Sequence, residues 1–75
     1  MDPNACMDRI LRAIREKDYA EARDAIGDVN DWLDGGGFAP DSVKLDALQL
    51  AIEAAGASAP ERLVREAMRL CQRLP

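Results

Sequence analysis

The sequence predicts an all-α protein of four short helices, and three observations support this fold class. Apolar residues recur at spacings of three and four, which is the period of an amphipathic helix. Alanine and leucine dominate, whereas valine occurs only three times and threonine never, and strands favour β-branched residues. Helix-starting and helix-ending residues separate the apolar stretches. A chain of 75 residues is expected to form a single helical domain, 1–75.

The first half of the chain predicts two helices joined by a tight turn. Asp2 followed by Pro3 favours a helix start, because the carboxylate caps the first turn and proline lacks an N–H that would stay unbonded there. Asp18 and Glu21 have the spacing of a capping box, in which each side chain bonds a backbone N–H of the other's turn. Glycines 35–37 end the second helix, and Phe38 is expected to pack against its last turn.

The second half predicts a similar pair of helices. Asp41 or Ser42 is expected to cap the third helix, and Gly56 to end it. Ser58 and Glu61 give the fourth helix a second S-x-x-E start. A strand is a competing interpretation of the third segment, because Leu48, Leu50 and Ile52 alternate with other residues, but the surrounding Ala, Gln and Glu favour helix.

The four helices are expected over about 3–17, 18–34, 42–55 and 59–73. Their inward positions are predicted to be Cys6, Met7, Ile10, Leu11 and Ile14; Tyr19, Ala22, Ile26, Val29 and Leu33; Val43, Ala47, Leu48, Ala51, Ile52, Ala54 and Ala55; and Leu63, Val64, Ala67, Leu70, Cys71 and Leu74. Short connections make neighbouring helices antiparallel. The helices therefore predict two helical hairpins, packed as an up-down bundle or as an orthogonal array.

The composition disfavours several classes of function. The chain has no histidine, which is the commonest catalytic base and metal ligand, and its only serines stand at predicted helix starts. We therefore expect no enzymatic activity, no cofactor and no metal site. The net charge of −4 disfavours binding to nucleic acid or to anionic membranes, and no apolar run approaches the length of a membrane span. Because no signal peptide is present either, we expect a cytoplasmic protein.

Cys6 and Cys71 lie near the two ends of the chain and on apolar stripes. In an up-down bundle these two positions would share one end, which allows the thiols to be close without requiring it. Buried free thiols are favoured over a disulfide, because the cytoplasm is reducing and free cysteine is often buried.

The second helix is strongly acidic, and Trp32 lies on the flank of its apolar stripe. Tryptophan is enriched among residues that dominate binding energy. The leading hypothesis is a small helical protein-interaction or regulatory module that binds an unidentified protein through Trp32 and the acidic positions Asp24, Asp28 and Asp31. A structural alternative is that Trp32 covers the edge of the core while the carboxylates are only solvated or paired.

Arginines mark the last helix at Arg62, Arg65, Arg69 and Arg73. The stretch from Ala51 to Ser58, in which one helix ends at glycine and a serine precedes the next, resembles the middle of a helix-turn-helix DNA-binding motif. This resemblance covers roughly residues 48–68 and implies DNA contacts by Arg62, Arg65 and Arg69. A DNA-binding helix-turn-helix protein is therefore the first alternative, and a self-associating protein, such as a homodimer, is the second.

Two further segments stand out in the first half of the chain. The chain begins Asp2-Pro3-Asn4-Ala5 after Met1, and Trp32-Leu33-x-x-Gly36-Gly37-Phe38-x-Pro40 follows later. Together they resemble small uncharacterised bacterial helical proteins. This resemblance implies a helical hairpin, and it assigns no activity and no functional residues.

Overall fold

The computed structural model describes residues 1–74, and its secondary structure is helical. The helices are α1 (Pro3–Arg15), α2 (Tyr19–Asp34), α3 (Ser42–Ala55) and α4 (Glu61–Arg73), with a short 3-10 turn at Gly56–Ser58. Residues 1–74 contain no strand, so the all-α prediction is confirmed and the alternative strand over 48–52 does not form.

The turn between α1 and α2 is closed by backbone hydrogen bonds of a Schellman motif. The Asp18 N–H donates to the Ala13 carbonyl at 2.8 Å, and the Lys17 N–H donates to the Ile14 carbonyl at 3.1 Å. Lys17 takes a φ of 60°, in the left-handed region. Because helix cannot continue through that conformation, α1 ends at Arg15 and not near Lys17 as the sequence predicts.

Three of the predicted helix starts differ in detail from the structure, and the first is α3, where Asp41 stands at the N-cap without a side-chain hydrogen bond to the helix. Asp18 caps α2 through its side chain, which accepts the Glu21 N–H, but the Glu21 carboxylate bonds Arg9 instead of reaching back to its own helix start. Ser58 does not cap α4, because its hydroxyl donates to the Ala55 carbonyl at 2.6 Å. Helix α4 begins after Pro60 without a side-chain cap.

The predicted pair of helical hairpins forms, and the two hairpins lie side by side. Helix α1 packs on α2 and on α3, and α4 packs on α3 and on α2. Within residues 1–74 the two diagonal pairs, α1 with α4 and α2 with α3, have no Cα atoms within 8 Å of each other. The loop from Gly35 to Asp41 therefore crosses the bundle between diagonal helices.

Polar contacts at both ends of the molecule show how the hairpins are aligned. At one end the Asn4 amide oxygen accepts the Asp41 N–H at 2.7 Å, and Lys44 pairs with Asp8 at 2.6 Å. At the other end the Tyr19 hydroxyl lies 3.3 Å from the Ser58 hydroxyl, so both hairpin turns are neighbours. Helix α1 therefore runs parallel to α3.

The core lies between the helices and is entirely apolar among the described residues. Its members are Cys6, Met7, Ile10, Ala13, Ile14, Ala22, Ala25, Ile26, Val29, Leu45, Leu48, Ile52, Ala59, Leu63, Ala67 and Leu70. Most predicted inward positions are among them or pack against them. Helix α3 is the exception, because Leu45 is buried whereas Val43 points outward with 73% of its surface exposed.

Leu48 and Leu50 of α3 provide a matched test of this core, because one is fully buried and the other is 66% exposed. We expect Leu48→Ala to lower the free energy of unfolding by about 2–4 kcal/mol, since it leaves a cavity. Leu50→Ala should change it by less than about 1 kcal/mol. Urea denaturation of both variants measures the difference, and equal losses would contradict the assigned rotation of α3.

Candidate functional site

Trp32 is engaged in the loop that follows its own helix. Its indole N–H donates to the Phe38 carbonyl at 2.9 Å, and the two rings meet edge to face with centroids 5.5 Å apart. Gly37 lies so close to the indole that an added Cβ would come within 2.2 Å of it. The half-buried ring therefore closes the end of α2, and its one hydrogen-bond donor is already used.

The acidic residues of α2 divide into paired and unpaired groups. Arg9 of α1 bonds Glu21 through two nitrogens, at 2.7 and 3.1 Å, and bonds Asp28 at 2.7 Å. Asp24 and Asp31 are exposed and form no ion pair within residues 1–74. Of the predicted contact positions, Asp28 is thus occupied by an internal pair, whereas Asp24 and Asp31 face solvent.

Arg9 also changes the pKa of its partner Glu21. Hydrogen bonding from the guanidinium is the largest effect, and it lowers the pKa of Glu21. Desolvation raises this pKa by a smaller amount, and the positive charge of Arg9 lowers it further. The same hydrogen bonds raise the pKa of Arg9 above its already high value. This cluster ties α1 to α2 and favours the ionised form of the Glu21 carboxylate.

The arginines of the DNA-binding alternative lie on the outer side of α4. Arg62, Arg65 and Arg69 are all exposed, and only Arg65 forms an ion pair within the described chain, with Glu61 at 2.9 Å. Helices α3 and α4 run antiparallel, because the Cys71 thiol near the end of α4 donates to the Leu45 carbonyl near the start of α3. Helix-turn-helix motifs instead cross their two helices at about 90–120°.

The outer face of α3 is apolar, which the sequence analysis did not anticipate. Val43 and Leu50 are 73% and 66% exposed, Ala54 is exposed and Ala47 is half-buried. On a helix these positions lie on one side, opposite the buried residues Leu45, Leu48 and Ile52. Helix α3 thus has apolar residues on both its inner and its outer side. The spacing of four, three and four residues was the available sequence signal, but Val43, Ala47 and Ala54 were predicted to face the core and Leu50 entered only the strand alternative.

A cleft of about 440 Å³ opens between α1 and α3 beside this face. The apolar part of its wall is formed by Leu11, Ile14, Ala51, Ala54 and Ala55, and Tyr19 and Ser58 add hydroxyl groups to it. The cations at its rim are Arg15 and Lys17, which are exposed and form no ion pair within residues 1–74. The cleft and the outer face of α3 share Ala54, so together they form one continuous apolar surface with a basic edge.

The two cysteines are free and lie on diagonal helices. The Cys6 thiol is buried and donates to the Ala25 carbonyl at 3.3 Å, whereas Cys71 is half-buried. Burial raises the pKa of both thiols, and nearby Asp28 adds to the effect at Cys6. Their Cα atoms lie more than 8 Å apart, which is too far for a disulfide, because α1 and α4 do not pack on each other.

Two other features can be described for residues 1–74. They contain no group of three or more cysteine, aspartate or glutamate side chains arranged to hold a metal ion. No helix in this part of the chain combines the length and the apolarity that a membrane span requires.

Gly37 tests the structural role of Trp32. We expect Gly37→Ala to displace the indole, because the new methyl group would overlap the ring, and to destabilise the fold by about 1–3 kcal/mol. Gly35→Ala is the matched control, since its Cβ would meet nothing closer than 3.5 Å. Tryptophan fluorescence and urea denaturation measure both effects, and equal behaviour of the two variants would contradict the packing described here.

The Arg9–Glu21 pair predicts part of the acid sensitivity of the fold. A lowered pKa in the folded state means that the stability contributed by Glu21 is present above the ordinary glutamate pKa of about 4.3. That stability is lost as the pH falls through the lower folded pKa. In urea titrations between about pH 7 and pH 3, Glu21→Gln should therefore lose stability less steeply than the natural chain. Asp24→Asn is the control, and an unchanged slope for Glu21→Gln would refute the pair.

No protein-family model matches the chain, and comparisons with curated proteins and with solved structures find no similar protein. The resemblance to small bacterial helical proteins therefore stays a prediction from the sequence.

Proposed function

We propose that this protein is a small, non-enzymatic interaction module whose contact surface is the outer face of α3. The observation that carries the proposal is the pair Val43 and Leu50, which stand 73% and 66% exposed on the side of α3 that faces away from the core. A single exposed leucine needs no explanation, because more than half of any protein surface is apolar. A continuous apolar stripe along a whole helix is different, since such patches mark interaction sites.

The surroundings of this stripe support binding to a helix. Its residues recur with a helical period, and the adjoining cleft between α1 and α3 shares Ala54 with it. An amphipathic partner helix recognised in this way places its own apolar side in such a groove. The absence of histidine from the sequence and the engagement of Ser58 in a turn support a non-enzymatic role.

Fewer residues support the hypothesis that a partner binds on α2. Trp32 is bonded within the loop, and Asp28 is paired with Arg9, which leaves Asp24 and Asp31 as available charges. Because exposed charges alone contribute little binding energy, α2 is proposed as a secondary surface that orients a partner.

Nucleic-acid binding remains the alternative function. Its support is the exposed set Arg62, Arg65 and Arg69 on one side of α4. The antiparallel packing of α3 on α4 supports it less, because a recognition helix needs to project from its neighbour into the major groove.

A capture experiment with one substitution tests the α3 surface. Tagged natural protein and the Leu50→Glu variant are incubated with lysate treated with nuclease, and the retained proteins are compared. We expect a partner that the natural chain captures and Leu50→Glu loses, because a buried carboxylate has no counter-charge at the centre of the stripe. Gln49→Glu adds the same charge one position away from the stripe and should retain the partner.

The same experiment separates the alternatives. Retention that survives Leu50→Glu but fails in the double variant Asp24→Lys/Asp31→Lys would move the contact surface to α2. Recovery of nucleic acid without nuclease, reduced by Arg62→Ala and Arg69→Ala, would favour the DNA-binding alternative. Circular dichroism of each variant shows whether the helices are retained.

A further inference from the structure

We propose that the outer face of α3 binds a second copy of this chain, with the two α3 helices side by side and parallel about a twofold axis. The inference rests on the proposed function and names the partner of the same surface. Four features carry it: the spacing of the stripe, its small residues, the charges along its two edges and the position of Arg15.

The stripe has the spacing of a helix–helix seam. Val43, Ala47, Leu50 and Ala54 follow one another at four, three and four residues, which are the steps of the a and d positions of a heptad. In a parallel pair each of these residues faces its own counterpart. Large residues then alternate with alanines, and the alanines allow the two backbones to approach closely.

The two edges of the stripe carry opposite charge. Asp46 and Glu53 lie on one side of it, on the edge away from α1. On the opposite edge, towards α1, stand Lys44, which already pairs with Asp8, and the unpaired cations Arg15 and Lys17. The face is therefore an apolar band between an acidic and a basic border.

Such a layout is complementary to itself in only one orientation. A twofold axis parallel to the helices places the acidic edge of one copy against the basic edge of the other. In an antiparallel pair like edges meet, and the carboxylates of the two copies would repel each other. Charge therefore selects the parallel pair, as charges flanking a coiled-coil seam select partner orientation.

Arg15 lies at the same level along the helix axes as Glu53, the carboxylate that needs a cation in the parallel pair. It lines the cleft together with Ala51 and Ala55, which bracket Glu53 along α3. Because a parallel twofold axis preserves height along the helices, Glu53 of one copy meets Arg15 of the other. An unrelated partner helix would not require both borders, whereas a second copy uses each of them twice.

The contact is short, so the dimer is expected to be weak. Helix α3 has 14 residues and is about 21 Å long. An interface confined to one such helix and its borders falls in the size class of transient complexes. Sedimentation equilibrium of the untagged protein, from about 10 μM to about 1 mM, covers the corresponding range of dissociation constants.

The first measurement is the mass in solution. The average mass should rise with concentration from 8.2 kDa towards twice that value. Leu50→Glu should keep the protein monomeric, whereas Gln49→Glu should associate like the natural chain. A monomer mass for the natural chain at every concentration would overturn the proposal.

Cysteine pairing tests the parallel orientation. In a background of Cys6→Ala and Cys71→Ser, Val43→Cys and Leu50→Cys are each oxidised alone and then as a mixture. A parallel dimer links each variant to itself. Efficient linkage of the mixture, with neither variant linking to itself, would show an antiparallel pair and overturn the proposed geometry.

Charge reversal tests the borders of the stripe. Arg15→Glu and Glu53→Arg should each weaken the dimer by about threefold to tenfold, since each breaks a pair twice in the symmetric dimer. The double variant should recover most of the affinity, because it exchanges the two charges. Ala20→Lys, at an exposed position of α2, which does not pack on α3, should leave the affinity unchanged. A double variant as weak as the sum of the single ones would refute the pairing.

The failure of this inference is distinguishable from that of the proposed function. A protein that stays monomeric at about 1 mM, while Leu50→Glu still abolishes capture of a partner from lysate, has an α3 surface for a different protein. If Leu50→Glu changes neither the mass nor the capture, both proposals are wrong.

Discussion

The close packing of α1 on α2 is the interaction on which the rest of this structure depends. Alanines at Ala13, Ala22 and Ala25 are fully or almost fully buried, and such small residues let two helix backbones approach closely. This approach brings the Cys6 thiol to the Ala25 carbonyl and allows Arg9 to reach two carboxylates of α2. The first hairpin is held together by these contacts, and the second hairpin packs along it.

The sequence predicts the helices well because their signals are local. The apolar spacing of α2 and the capping carboxylate of Asp18 need only a few neighbouring residues, and both are found where expected. At Glu21 the local sequence pattern predicts the wrong hydrogen-bond partner, and the reason is instructive. Its spacing fits a capping box, but Arg9 on the neighbouring helix offers a charged partner, and two bonds from a guanidinium are stronger than one bond from a neutral N–H.

The sequence could not predict which side of α3 faces the core, and the reason is physical. Apolar residues occur on its inner side at Leu48 and on its outer side at Leu50, so periodicity alone cannot say which side is buried. That choice depends on which neighbours the helix meets, and the sequence did not predict that α3 lies beside α1 and diagonally from α2. The candidate surface was missed for the same reason, since three of its residues, Val43, Ala47 and Ala54, were predicted to face the core. Trp32 drew attention by its chemistry, but its partners Gly37 and Phe38 follow it closely in the chain.

The core has a further consequence, because no buried polar side chain within residues 1–74 fixes how the hairpins fit together. Apolar contacts are non-directional, so burial alone specifies the alignment of the hairpins less sharply than polar contacts do. Polar contacts at the borders add to this selection: the hydrogen bonds of Asn4 and Tyr19, and the ion pairs of Lys44 with Asp8, Arg23 with Glu66, and Arg73 with Asp34. Salt screens such exposed pairs while leaving burial intact. Ionic strength is therefore expected to govern the uniqueness of the native arrangement more than its overall compactness.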